Sequence, residues 1–254
     1  DVPYHYERSI ENGLDPAHNE YVHTTHGHQG ERENEYKVNE LERSQDNPWG
    51  YGFMHTYDAP PLRNGVLRFS RRKGGKMQAG SGTYGPNQMW THINISPTKA
   101  MHQYLFEAPI DERSTRVFLV TYRNIVFFKK GLLSKLNNWL DRKVTVRNLF
   151  VAAQDIAVVK ELRPVLTPPS TARELMMPAD KVIAQYRDKL DEFEAKGWRI
   201  DMQRLKKDHE RGNVIYAIPS PGRRESKGWV LEATPPVQAS DEHHIGQIVV
   251  PVVL

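Results

Sequence analysis

Along residues 87–123 the apolar positions fall two apart. In "NQMWTHINIS" (87–96), Trp90, His92 and Asn94 alternate with Thr91, Ile93 and Ile95, so opposite faces of one strand would carry different chemistry. The runs "MHQYLFEAP" (101–109) and "STRVFLVTYR" (114–123) have the same texture, and the polar "IDERST" between them reads as a hairpin connection. "GVLRFSRR" (65–72) is a further strand candidate, while the Gly, Asn and Pro content of residues 44–65 predicts loop and turn. Together these strands predict an antiparallel meander.

After residue 130 the period lengthens. Residues 133–162 have helical spacing, contain no Gly or Pro, and stop short of Pro164, because a proline keeps the residue before it out of the helical region. A second helix starts near Pro178, with Ile183, Tyr186, Leu190 and Phe193 on one side and Gly197 placed as a C-terminal cap. Strands followed by helices predict the α+β class. The tail from residue 219 has turn composition and no assigned chemistry.

Composition narrows the chemistry. With 254 residues, 38% of them hydrophobic, the chain can bury a large core, and one domain over 1–254 is expected. No run reaches the roughly 18 apolar residues of a membrane span, and the opening "DVPYHYERSI" lacks an initiator Met and a signal-peptide pattern. The expectation is a soluble, non-secreted piece of a longer protein, in a bacterial cytoplasm or an organelle stroma. There is no cysteine, which removes disulfides, thiolate zinc sites and any cysteine-held iron–sulfur cluster, so a metal would have to be held by His and carboxylates. The 35 basic and 31 acidic residues are mixed along the chain, with only short knots such as "RRK" (71–73), which argues against a nucleic-acid partner.

The stretch "ENGLDPAHNEYVH" (11–23) carries the candidate chemistry. On an ideal helix Asp15 and His18 would lie close together, whereas His18 and His23 would point about 140° apart. A shared ion therefore requires the helix to bend, bulge or end between the two histidines, and Asn19 is a weak signal for such an end. Glu11 and Glu20 read as solvated, and His26 and His28 as exposed decoys in a loop-like stretch. Asp155 has Val151, Ala152, Val158 and Val159 as its helical neighbours, so its carboxylate sits on an apolar face without a local basic partner. A metal would neutralise it, as would a long-range pair with Arg123 or Arg147. Two imidazoles and one carboxylate are the ligand set of the facial triad that holds non-haem Fe(II), and the same donors could hold zinc for hydrolysis.

These residues resemble a known signature. Asn12, Asp15, His18 and His23, followed much later by a helical Asp at 155, are similar to the iron-binding pattern in the catalytic domain of Rieske non-haem iron oxygenases. The "DPAHNEYVH" form resembles the branch containing vanillate and dicamba O-demethylases, and "DKVIAQYRDKLDEFEAKGW" (180–198) is similar to the end of chlorophyllide and pheophorbide oxygenases. The resemblance implies a helix-grip, START-like fold, a curved antiparallel sheet wrapped around a long C-terminal helix. It implies that His18, His23 and Asp155 bind a mononuclear Fe(II). Asp15 would accept the ring N–H of His18 and bridge to a cluster-ligating histidine of a neighbouring subunit, and Asn12 would support the same network.

The implied activity is O2-dependent hydroxylation or oxidative demethylation of an aromatic or other cyclic small molecule, a monooxygenase more than a ring-hydroxylating dioxygenase. Electrons would come from a 2Fe-2S cluster on a Rieske domain placed before residue 1, supplied by a reductase or ferredoxin, in a homotrimer. Without that donor the chain is expected to lack sustained turnover. Trp90, His92 and Asn94 are candidates for lining the substrate pocket between the sheet and the helix that carries Asp155. The rival reading is an iron-free START-like module that binds a hydrophobic ligand.

Overall fold

Among the described residues six strands pair in sequence order into one antiparallel sheet: β1 (Glu42–Arg43), β2 (Gly52–Asp58), β3 (Lys76–Thr83), β4 (Gln88–Ser96), β5 (Lys99–Asp111) and β6 (Ser114–Arg123). The helices are α1 (Tyr6–Leu14), the single turn α2 (His18–Tyr21), the long α3 (Lys135–Val159), α4 (Lys181–Ala195) and α5 (Met202–Glu210), with a 3-10 turn at Pro178–Asp180. The structure, a computed structural model, describes residues 1–23, 42–43, 50–58, 76–125 and 135–211, all inside one compact unit, Asp1–Pro219. The predicted strand at 65–72, His26, His28, the tail from 219 and the C-terminal part of the single-domain expectation lie outside the described residues.

The expected meander over 87–123 is present, and the architecture is the α+β helix-grip type, with α4 and α5 following the long helix. Two strands differ from expectation. Residues 52–58, read as loop, form β2, and the glycine-bearing "KMQAGSGT" forms β3. Cross-strand pairing overrides local propensity here, since Gly52 and Gly82 sit opposite each other in a register that runs unbroken to Asp58 and Lys76.

Strand alternation splits the sheet into two faces. Gln103 and Thr121 are register partners and both bond Asn148 of α3: the Gln103 Nε2 donates to Asn148 Oδ1, and Asn148 Nδ2 donates to Thr121 Oγ1, each at 3.1 Å. That face therefore looks at α3. Seven residues before Asn148, Asp141 accepts from Arg123 of β6 at 2.7 Å, and seven residues after it comes Asp155. Seven residues are close to two helical turns, so Asp141, Asn148 and Asp155 form one polar stripe along the sheet side of α3.

α1 crosses the same face. Tyr6, Ile10 and Leu14, four residues apart, pack with Phe53, Val182, Tyr186 and Leu190 into the core, all at most 2% exposed. Gly13 lets the helix approach β4, because a Cβ there would overlap the Met89 sulfur. The polar side of α1 is also buried. Arg199 grips Glu7 with two bonds of 2.8 and 3.0 Å, and Glu11 accepts from Arg8 at 2.6 Å and from Arg187 of α4 at 2.7 Å. Arg8 also donates to the carbonyls of Pro164 and Leu166. Glu11 and Glu20, expected in solvent, are 5% and 1% exposed. A partner three residues away was visible for Glu11, but Arg187, 176 residues on, was not.

The expected cap at Gly197 is present. With φ at 71°, Gly197 lets its own N–H reach Glu194 O at 2.9 Å and the Trp198 N–H reach Phe193 O at 2.8 Å, while the Trp198 and Phe193 rings stack at 5.7 Å. This turn delivers Arg199 to Glu7.

Two outcomes follow from these buried charges. Burial pushes Glu7 up, but the bonds and charge of Arg199 outweigh it and hold the carboxylate below its ordinary range. Arg199→Met strands that carboxylate and is expected to cost about 3–5 kcal/mol in denaturant unfolding at pH 7. Glu107 behaves oppositely. It is 1% exposed, among the described residues its carboxylate bonds one side chain, the Ser9 hydroxyl at 2.9 Å, and burial lifts it to about 7. The folded state then holds a proton that the unfolded chain releases near 4.5, so stability falls as pH rises from about 4.5 to 7 and levels off above. The drop should approach about 3 kcal/mol at 1.36 kcal/mol per unit. Glu107→Gln should flatten it, as read by unfolding at pH 5 and pH 8.

Candidate metal centre

The break that the two histidines require is built into the sequence at Asp15-Pro16. Proline excludes the helical region for the residue before it, and Asp15 is extended at φ −79°, ψ 107°, ending α1 at Leu14. The Asp15 carboxylate accepts the Ala17 main-chain N–H at 2.8 Å and so sets the turn into α2. α2 lasts four residues and ends before His23. The result is a His18–His23 ring separation of 5.1 Å, edge to face.

Asp155 reaches both rings from α3. Its Oδ1 lies 3.3 Å from His23 Nε2 and 3.8 Å from His18 Nε2, and it also accepts from Asn12 Nδ2 at 3.1 Å. His23 is buried at 2% exposure, while the Asp155 side chain keeps 20%, more than the apolar neighbours in sequence suggested. Arg123, one of the rival partners for Asp155, is instead bound to Asp141.

The oxygens beside the opposite ring nitrogens point to one tautomer for each histidine. His18 Nδ1 meets the main-chain carbonyl of Asp15, and His23 Nδ1 lies 3.2 Å from the amide Oε1 of Gln154. Oxygens of this kind only accept, so each Nδ1 carries the hydrogen and each Nε2 presents a lone pair. Burial favours the neutral form of His23 and pushes it down, outweighing the Asp155 charge, which pulls it up. Two lone pairs thus converge on an anionic oxygen, an arrangement that a cation between them reconciles.

The donor set fits a metal ion. One ligand atom from each of His18, His23 and Asp155 lies within 4.8 Å of the others. Cis ligands about 2.1 Å from an ion stand about 3 Å apart, so a modest contraction closes the set. With three donors on one side the other positions stay open.

Asp15 differs from the role expected of it. The partner of the His18 ring N–H is its main-chain carbonyl and not its carboxylate, which is engaged by Ala17 and pushed up by burial ahead of the lowering influence of His18. Asn12 bonds Asp155 directly. Gln154 was missed: a glutamine beside a ligand gives no pattern signal, since neighbouring helical side chains point about 100° apart.

Trp90, His92 and Asn94 do not join the cluster. They lie in the row of His102 and Tyr104, facing away from α3. The Trp90 and His92 rings meet at a tilt with centroids 4.5 Å apart, and His92 is lowered to about 4 by burial and then by His102. A hollow of about 460 Å³ on that face is lined by His102, Tyr104, Phe106, Val120 and Tyr122. Among the described residues no helix is long and apolar enough to cross a membrane.

Comparison with known proteins agrees with this architecture. The structure is similar to that of Pseudomonas putida CBB5 NdmA QL mutant with caffeine, at a TM-score of 0.52 and 20% identity, covering 87% of this chain and 54% of that one. The same mutant with theobromine gives 0.51 and 19% over the same shares. This chain thus spans about half the length of those structures, and no curated protein matches it significantly. The family model for the vanillate O-demethylase oxygenase C-terminal domain matches residues 2–196, most of the chain. A sheet with a long helix against it, a His/His/Asp cluster between the α2 region and that helix, and that match lead to one conclusion: the chain belongs to the vanillate O-demethylase oxygenase C-terminal domain family, and so to the catalytic domains of Rieske oxygenases.

Proposed function

We propose that this chain is the mononuclear-iron portion of an oxygenase that hydroxylates or oxidatively demethylates an aromatic or other cyclic small molecule with one oxygen atom of O2. The observation that carries the reading is the convergence of the His18 and His23 Nε2 atoms on one Asp155 oxygen, at 3.8 and 3.3 Å, inside a family of oxygenase domains. An iron-free ligand carrier would have no use for acceptors that repel one another. Bound Fe(II) would supply the activation of dioxygen, with electrons from a Rieske 2Fe-2S cluster and an external reductase in a trimeric full-length enzyme.

This chain's own residues would do the positioning. His18, His23 and Asp155 hold the ion, the Asp15 carbonyl keeps the His18 ring from turning, and Asn12 fixes the Asp155 carboxylate. The face of β4 to β6 that looks at α3 bears Thr91, Leu105 and Leu119 beside the Gln103–Asn148–Thr121 link, a mixed wall suited to orienting a small ring and keeping water off it.

Anaerobic Fe(II) titration with elemental analysis tests the reading. Wild type should take up one iron per chain, and Asp155→Ala should bind more than about 100-fold more weakly, since losing a ligand exceeds the loss of an outer partner. Uptake indifferent to Asp155 would refute the site. Asp15→Asn retains an acceptor for Ala17 and leaves the main-chain carbonyl in place, so its iron affinity should stay within about threefold of wild type in the same titration.

A further inference from the structure

We infer that Gln154 is a positioning residue for the metal centre, holding His23 in the one tautomer and ring orientation that can bind the ion. The inference rests on the metal-binding reading above and adds the residue on which that ligand's geometry depends.

His23 follows the last residues of α2 and is in no regular element, so no helix or strand fixes its ring. What fixes it is α3. Two consecutive residues of that helix span the imidazole, Asp155 toward Nε2 at 3.3 Å and Gln154 toward Nδ1 at 3.2 Å. The ring's two nitrogens point to opposite edges, so these contacts together hold its rotation about the Cβ–Cγ bond. Burial of His23 to 2% exposure keeps water from taking the place of either partner.

The chemical type of the partner matters as much as its position. A ring N–H that donates to a carboxylate makes the imidazole a more basic ligand, whereas an amide oxygen fixes the tautomer without adding charge. His18 is treated the same way, by the neutral carbonyl of Asp15. Both imidazoles are therefore oriented by neutral acceptors, and the three ligands bring a total charge of −1, leaving a divalent ion with net +1.

The test uses the 254-residue chain, with Fe(II) for affinity and Co(II) as a paramagnetic probe whose ligand ring N–H protons appear as shifted, solvent-exchangeable NMR signals. Wild type should show two such signals, from His18 and His23. Gln154→Leu should bind Fe(II) about 10- to 100-fold more weakly and lose the His23 signal to exchange. Gln154→Glu, of the same length and still an acceptor but charged, should keep both signals and bind Fe(II) at least as tightly as wild type, since a carboxylate makes the ring a more basic ligand. Circular dichroism confirms folding, and if Gln154→Leu fails to fold, Gln154→Asn, whose amide stops one methylene short, should show the same loss. Wild-type affinity with both signals in Gln154→Leu or Gln154→Asn would overturn the inference while leaving the metal site intact. Equal loss in folded Leu and Glu variants would also overturn it, since helix packing and not the acceptor would then matter. If wild type itself takes up neither metal, the metal-binding reading fails first.

Discussion

A proline at position 16 denies residue 15 the helical conformation, and the site follows from that one exclusion. Had α1 run on, His18 and His23 would face different directions on a single cylinder. Instead the chain leaves the helix at Asp15, makes one turn as α2 and is free again at His23, so the two rings come within 5.1 Å. Asp15 serves the break twice, its carboxylate on Ala17 and its carbonyl on His18. A single residue thus ends a helix, shapes the next turn and orients a ligand.

A break positions ligands only if the element before it is fixed. α1 is fixed on its apolar side by Tyr6, Ile10 and Leu14 and on its polar side by Glu7, Arg8 and Glu11, all six nearly inaccessible to water. Buried ion pairs add little net stability, because desolvation cancels most of their attraction, but they admit few alternative arrangements. Here they set the rotation of α1 against α4 and the 164–166 segment. α3 is aligned by its own heptad of polar residues, Asp141, Asn148 and Asp155, each met by a matching group from the sheet or from the α1–α2 region. Both halves of the site are therefore set by polar registration laid over hydrophobic packing.

What the sequence disclosed and what it withheld divide along the same line. Period-two alternation over 87–123 and the capped helix ending at Gly197 are local patterns, and both are present. β2 and β3 were hidden because glycine-rich strands gain their stability from neighbours across the sheet. The three candidate ligands were legible from residue type, spacing and the oddity of a carboxylate among valines. The outer partners were not: a main-chain carbonyl has no letter in the sequence, and Gln154 looks like any helical glutamine. Glu11 and Glu20 were read as solvated because the groups that cover them come from distant parts of the chain, and the side of the sheet that Trp90 and His92 face depends on where α3 lies.

The Glu7–Arg199 pair joins residues 192 apart in the chain. During synthesis His18 and His23 leave the ribosome roughly 10–40 s before the arginine that clamps α1, the helix ahead of them, at ordinary elongation rates. Through that interval α1 lacks its clamp, and an ion that met His18 and His23 would find no settled helix and, for most of it, no Asp155. A metal held by the proposed site would therefore be loaded once the segment that carries Arg199 has folded back onto α1.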